Sequence, residues 1–267
     1  MWYNKFMKVT VKLIIIFILV AVGLVFIFKT QMNNTKGNQN NVENNVGVVP
    51  VTHASFILSW DELNIYVDPS MYKISKTDAF AGKPIPDAIL FTDIHNDHFD
   101  VEILKTIAKE KTIIIAPQAV MEKIPEEMRA NTLVMKNWEV MEKLGLKIEA
   151  IPMYNLPESA ESYHPKGRGN GYVLEKSGAR VYISGDTAGI PEMRNLKNID
   201  MAFVAMNLPY TMGVEEAADA VLAFKPKQVY PYHYRTPEGF SNVAEFKELV
   251  NKGNPDIEVV QLEWYPK

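Results

Sequence analysis

Apolar and polar residues divide the chain into three regimes before any motif is read. Leu13 to Phe28 is an unbroken apolar run, preceded by Lys5, Lys8 and Lys12 and closed by Lys29. A spanning helix takes about 20 apolar residues and the core of a secretion signal about 7 to 15. The run falls between the two, and lysines that reach out to the headgroups extend it across a thin bilayer. Its exit, Lys29-Thr-Gln-Met-Asn-Asn, lacks the small residues of a cleavage site, which favours an uncleaved transmembrane anchor over a removed signal sequence. The flanking lysines keep the short tail in the cytoplasm, so the rest is expected outside the cell membrane, or secreted if the segment is cleaved. Gln31 to Gly47, QMNNTKGNQNNVENNVG, is Asn-rich and nearly without aliphatic residues, the composition of a disordered tether. The expected organisation is tail and anchor over 1–30, tether over 31–47 and a folded domain over 48–267.

Within that domain short strand-like runs alternate with helical ones. Ser55 to Trp60 and Leu63 to Val67 predict a hairpin turning at Asp61-Glu62 and stopping at Asp68-Pro69. Ala88 to Phe91 and Thr112 to Ile115 read as short buried strands flanking a helix over Val101 to Lys109. Further strands are expected at Lys147 to Ile151, Tyr172 to Glu175, Arg180 to Ser184, Met201 to Ala205, Gln228 to Tyr230 and Ile257 to Leu262, with a helix over Ala244 to Asn251. In the helix expected over Val214 to Phe224, Val214, Ala217, Ala218, Val221 and Leu222 share one core-facing side. Two successive β-rich halves suit a mixed α/β fold with two sheets face to face and helices outside.

Composition narrows the chemistry more than the fold. A content of 47% hydrophobic and 22% charged residues is ordinary for a domain able to bury a core. The net charge of -4 lacks the basic footprint of phosphate recognition, so no nucleic acid partner is expected. With no cysteine the chain has no disulfide, Cys-ligated zinc, iron-sulfur cluster or thiol nucleophile, and any metal must be held by nitrogen and oxygen.

The densest chemistry lies in Phe91 to Asp100, FTDIHNDHFD, with three carboxylates and two of the five histidines. Alternation along a strand would put Asp93 and His95 on one side, and the turn toward the next helix would bring Asp97 and His98 to the same centre. Asp100 is expected to cap that helix. Two later strands also end in donor residues: Arg180 to Ser184 runs into Gly185-Asp186, and Val229-Tyr-Pro-Tyr leads to His233. Taken singly, these have ordinary readings, because Gly-Asp is common in turns and a lone strand-end histidine is more often a hydrogen-bonded structural residue.

The ordered set DIHNDHFD, GDT and PYHY resembles the metallo-β-lactamase superfamily, whose H-x-H-x-D-H signature is followed by a later His, an Asp in a Gly-Asp element and a final His. The resemblance runs from Val51 to about Pro266. Through THASFIL, AIPMYN, YHPKGRGNGYVL and NLPYTMGVEEAADAVLAFKPKQVYPYHY it narrows to a bacterial branch of metal-dependent hydrolases, related to the L-ascorbate-6-phosphate lactonase and N-acyl-phosphatidylethanolamine phospholipase D groups. It implies a four-layer αββα sandwich and two divalent metal ions, zinc by default. His95 matches the second His of the signature, Asp97 and His98 its Asp-His end, Asp186 the Asp that commonly bridges two metals, and His233 the final His. Two positions depart: Asp93 stands where the first His is usual, and Asn155 lies near the expected middle His, for which His164 is the nearest substitute. A carboxylate in place of an imidazole makes that half harder and more negative, which brings manganese or iron into range. His53 is either a supporting or substrate-facing residue or a structural one, and Tyr210 either lines a pocket rim or packs.

What the resemblance implies for activity is a hydrolase in which water or hydroxide activated by the two ions attacks an ester, lactone, amide or phosphodiester, with Asp97 holding the water and its proton. The expected substrate is a small molecule or, from the anchor and the phospholipase likeness, a lipid. A metal-binding or ligand-sensing module without turnover is the alternative that Asp93 and Asn155 suggest.

Overall fold

The computed structural model describes residues 46–71 and 79–265. The tail, the anchor and the tether up to residue 45 lie outside the described residues, among which no helix is long and apolar enough to cross a membrane.

Apolar runs form two sheets because both faces of each sheet are covered. The first has the order β1-β2-β3-β4-β5-β6, made of Val46–Thr52, Ser55–Trp60, Leu63–Val67, Ala88–Leu90, Ile113–Ala116 and Thr132–Val134. The second has the order β15-β12-β11-β10-β9-β8-β7. Its members are β7 Val140–Lys143, β8 Leu146–Met153, β9 Gly169–Lys176, β10 Ala179–Ile183, β11 Met201–Ala205, β12 Gln228–Tyr232 and β15 Glu258–Val259. Each sheet is antiparallel at one side and parallel at the other.

Side-chain alternation then sorts residues into three cores. Phe56, Leu58 and Trp60 of β2 point between the sheets, where Phe56 stacks on Phe203 at 4.3 Å and Trp264 meets Phe56 edge-on at 5.6 Å. Ile57 points the other way, to Leu104 and Ile107 of the helix Val101–Ile107. In β11, Ala202 and Val204 face outward onto Ala217, Val221 and Phe224 of the helix Val214–Phe224, with Phe246 and Val250 of the helix Val243–Gly253 in the same cluster. Helix, sheet, sheet and helix follow one another, and the mixed α/β fold is the expected one.

The hairpin, β11 and the helix Val214–Phe224 have the bounds read from the sequence. Strand β1 takes in Val46 and Gly47, two residues ahead of the expected start, because it pairs with β2 as far back as Trp60. Strand β7 was not expected. Three of its four residues are exposed, so it carries no apolar signal. The short hairpin of β13 (Arg235–Thr236) and β14 (Gly239–Phe240) is also new and stands beside the site.

Candidate metal centre

Loops at the carboxyl ends of strands converge at one place. Asp68 follows β3, Thr92 to His98 follows β4, Asn155 and His164 follow β8, Asp186 follows β10 and His233 follows β12. A cavity of about 250 Å³ opens there, with His53, His95, Asp97, His164 and Asp186 on its wall.

The route by which Asp93 and His95 meet differs from the one expected. Strand β4 ends at Leu90, so alternation does not place them. The chain turns instead, with the His98 and Phe99 N–H groups donating to the His95 carbonyl at 3.0 and 2.8 Å. Asp100 caps the following helix as expected, accepting from the N–H groups of Glu102 and Ile103. Donor atoms gather in three trios, each within 4.8 Å and the last two sharing His233: Asp93, His95 and His164; His98, Asp186 and His233; His53, Asp97 and His233. Asp186 reaches two of them, with Oδ2 3.2 Å from both His98 Nε2 and His164 Nε2, and Oδ1 3.5 Å from His233 Nε2.

Hydrogen bonds behind the imidazoles set which nitrogen faces inward. His98 Nδ1 lies 2.8 Å from Asp68 Oδ2, and Asp68 also accepts from the Thr92 N–H at 2.7 Å and the Thr92 hydroxyl at 2.5 Å. A proton on Nδ1 leaves the Nε2 lone pair pointing at the centre, the arrangement that orients metal-binding histidines. Asp68 reads in the sequence as part of the Asp68-Pro69 strand stop; its position after a strand end, shared with Asp186 and His233, was the signal available. His164 Nδ1 lies 3.1 Å from the Tyr210 carbonyl and 3.2 Å from Asn155 Oδ1. The Asn155 amide donates to the same Tyr210 carbonyl at 2.8 Å, and its oxygen accepts the His164 N–H at 2.8 Å. Of the two candidates for the middle position, His164 therefore points into the centre and Asn155 stands behind it.

His53 occupies a relay of its own. Its Nε2 is 3.2 Å from Asp97 Oδ2, its Nδ1 is 2.9 Å from the Tyr265 hydroxyl, and its ring lies 3.9 Å from that of His233. Burial, with His233 nearby, pulls the His53 pKa down to about 3 against the opposing pull of Asp97. Burial pushes the Tyr265 phenol well up. A neutral His53 and a protonated Tyr265 give one consistent pattern: the phenol donates to Nδ1, and Nε2–H donates to Asp97.

The Asp93 half is built differently. Asp93 is fully buried, with Oδ2 2.7 Å from His95 Nδ1 and Oδ1 3.1 Å from Arg168 Nη2. Arg168 Nη2 also donates to the Tyr163 carbonyl at 2.6 Å and lies 3.4 Å from His95 Nε2. Burial alone would raise the Asp93 pKa, but His95, with His98 and Arg168 beside it, holds it at about 2. Arg168 lies within the YHPKGRGNGYVL stretch, where nothing in its neighbours marks it as the partner of Asp93.

The backbone is tight around these groups. His53, Asp68 and His233 take φ of 50°, 44° and 49°, a left-handed conformation that costs a residue with a side chain about 1–2 kcal/mol. Such residues persist where their surroundings hold them, often at functional sites. At Gly169 a Cβ would sit 2.7 Å from the Thr92 carbonyl oxygen, so only glycine lets β9 pass so close to the donor loop.

The residues fit divalent cations. All donors are nitrogen or oxygen, and His164 Nε2 and Asp186 Oδ1 are buried without a hydrogen bond. Burial would raise the Asp186 pKa, yet His233 and His98 hold it well below the carboxylate range; burial would lower His98, yet Asp186, Asp68 and Asp97 hold it well above. Ionised carboxylates thus stand buried beside one another, which a cation between them would compensate.

The family description "Beta-lactamase superfamily domain" matches residues 48–233. The chain belongs to this superfamily. Within it the chain is a metal-dependent hydrolase. It is 33% identical over 208 residues to a "UPF0173 metal-dependent hydrolase" of Thermococcus onnurineus, covering 74% of this chain and 89% of the relative. A relative of the same description from Methanopyrus kandleri is 30% identical over 223 residues, covering 79% and 94%. A solved structure from Parabacteroides distasonis matches with a TM-score of 0.71 at 37% identity, over 81% of this chain and 92% of that one. Igni18, "a novel metallo hydrolase" of Ignicoccus hospitalis, matches at 0.67 and 22% identity over 82% and 95%, a likeness of fold alone.

Proposed function

We propose that this hydrolase works with two divalent ions, one held by Asp93, His95 and His164 and one by Asp97, His98 and His233, with Asp186 between them. The observation that carries the reading is the reach of Asp186 Oδ2, 3.2 Å from an imidazole nitrogen of each half. Such ions supply an activated water at neutral pH and polarise a carbonyl or phosphoryl oxygen. The chain's own groups do the rest. Asp68 and Asn155 fix the imidazoles behind the centre, and His53 and Tyr265 hold Asp97 as the carboxylate that takes a proton at the cavity wall. Zinc suits the imidazoles, and the carboxylate at Asp93 extends the range to manganese or iron.

The bond cleaved is an ester, lactone, amide or phosphodiester of a small substrate. A cavity of about 250 Å³ lies below the roughly 300–1,000 Å³ of pockets for drug-sized ligands, which favours a compact molecule over a whole lipid. The apolar run Leu13 to Phe28 suits a membrane anchor with the domain outside the cytoplasm. Metal analysis of the purified chain, together with a lactone, phosphodiester, phospholipid and β-lactam panel run with zinc and with manganese, tests the reading. Two ions and turnover of a small ester or phosphodiester are expected, with β-lactams poor; no bound ion and no turnover would overturn it. Protease accessibility of the domain in intact cells tests the placement.

A further inference from the structure

Five arginines occur in the sequence, and four of them hold protein oxygens: Arg129 the Ile124 carbonyl, Arg168 the Asp93 carboxylate, Arg180 that of Glu175 and Arg194 that of Asp219. Arg235 is different. Its backbone N–H donates to the Tyr265 hydroxyl at 3.0 Å, but among the described residues its guanidinium meets no carboxylate and makes no hydrogen bond. The guanidinium instead lies against two rings, 4.7 Å from the Phe240 centroid and 4.8 Å from that of Tyr265. The short β13–β14 hairpin brings Phe240 across from Arg235, and the two aromatic rings are 4.8 Å apart. Arg235 lines the same cavity as Asp97, Asp186 and His95.

A guanidinium resting on aromatic faces keeps its five N–H donors in its plane, free for an oxyanion, and loses little conformational entropy when one arrives. The two rings hold the cation in place without using its donors, which stay available on the cavity wall. Two divalent ions would offset the charge of Asp68, Asp93, Asp97 and Asp186, which leaves the Arg235 cation on the cavity wall for an anionic group of the substrate. We propose that Arg235 is an anion-docking residue. The substrate carries a carboxylate or phosphate group that Arg235 grips while the bond to be cleaved lies against the metal centre. This rests on the two-ion reading above and adds to it the class of substrate.

The test measures binding rather than turnover, so that it stands apart from the hydrolase reading. Full-length, zinc-loaded protein is titrated calorimetrically with butyrate and with succinate, glutarate and adipate, which offer a second carboxylate at graded spacing from the first. The best diacid is expected to bind at least about tenfold more tightly than butyrate, a usual scale for a charge-assisted contact. Arg235→Met keeps an apolar stem for the two rings and should erase that advantage; Arg235→Lys should retain part of it. Arg235→Gln serves if the Met variant does not fold, and zinc content is read for each. A diacid advantage that is absent in the wild type, or undiminished in Arg235→Met or in the Arg235→Gln that stands in for it, overturns the proposal. A 3-phosphonopropionate advantage larger than that of glutarate, and lost in the same variants, assigns the anion as phosphate. If diacid binding behaves as expected and no ester panel is turned over, the hydrolase reading fails while the docking role stands.

Discussion

The two halves of the centre are supported by opposite means. In the His98 half, Asp68 and Thr92 hold the imidazole from outside, and the inward atoms face one another, His98 Nε2 only 3.1 Å from His233 Nε2. In the Asp93 half the donors already satisfy one another: His95 and Arg168 take the two Asp93 oxygens, and His95 is substantially exposed. In the His98 half the resident cation is a proton on the imidazole, which an incoming metal replaces; in the other it is the Arg168 guanidinium, which keeps its charge and must be displaced or accommodated. This difference predicts unequal affinity, with the tighter ion at His98.

Removing what the halves share should have the largest effect. Asp186→Ala is expected to lower metal content from two ions to at most one and to slow turnover by about three orders of magnitude, the loss of several kcal/mol of charge stabilisation. Mass-spectrometric metal analysis with steady-state kinetics reads both, and a variant that keeps two ions would separate Asp186 from the bridge. Next, Asp68→Asn should weaken the tighter ion alone by about 10- to 100-fold, as expected for losing a group that orients a ligand. Chelator competition should show one affinity moving and the other fixed; equal movement would mean that the halves act as a single unit. Arg168→Gln should sharpen the contrast from the other side. Without the guanidinium the metal-free chain loses about 1–3 kcal/mol, because buried Asp93 is under-compensated. Zinc should restore most of that loss, so the melting temperature rises more on loading than in the wild type. The smallest effect is expected for Asn155→Ala, about 0.5–1.5 kcal/mol from a lost hydrogen bond. NMR of the imidazole nitrogens should then find the His164 tautomer mixed.

Legibility in the sequence followed locality. The helix Val214–Phe224 was readable because its burial repeats with the helical period, and strand β11 because its five residues form one unbroken buried apolar run. The donors Asp93, His95, Asp97 and His98 were readable because they crowd into one segment, even though a turn and not a strand gathers them. The choice between Asn155 and His164 was not, since both lie on one loop and only their side chains' directions separate them. Arg168 and Arg235 show the same limit more sharply. One is committed to a buried carboxylate and the other lies open on two rings, and nothing in their neighbours along the chain distinguishes them.

His98 and His233 touch across 135 positions of sequence. An unfolded chain therefore offers an ion little beyond the short hook from Asp93 to His98, and tight coordination must wait until both sheets exist. Ions then select the finished fold, adding about 2.7 kcal/mol when free metal stands at 100 times its dissociation constant. The supply of metal around this protein becomes a determinant of how long each folded molecule lasts, apart from whether it has any substrate to cleave.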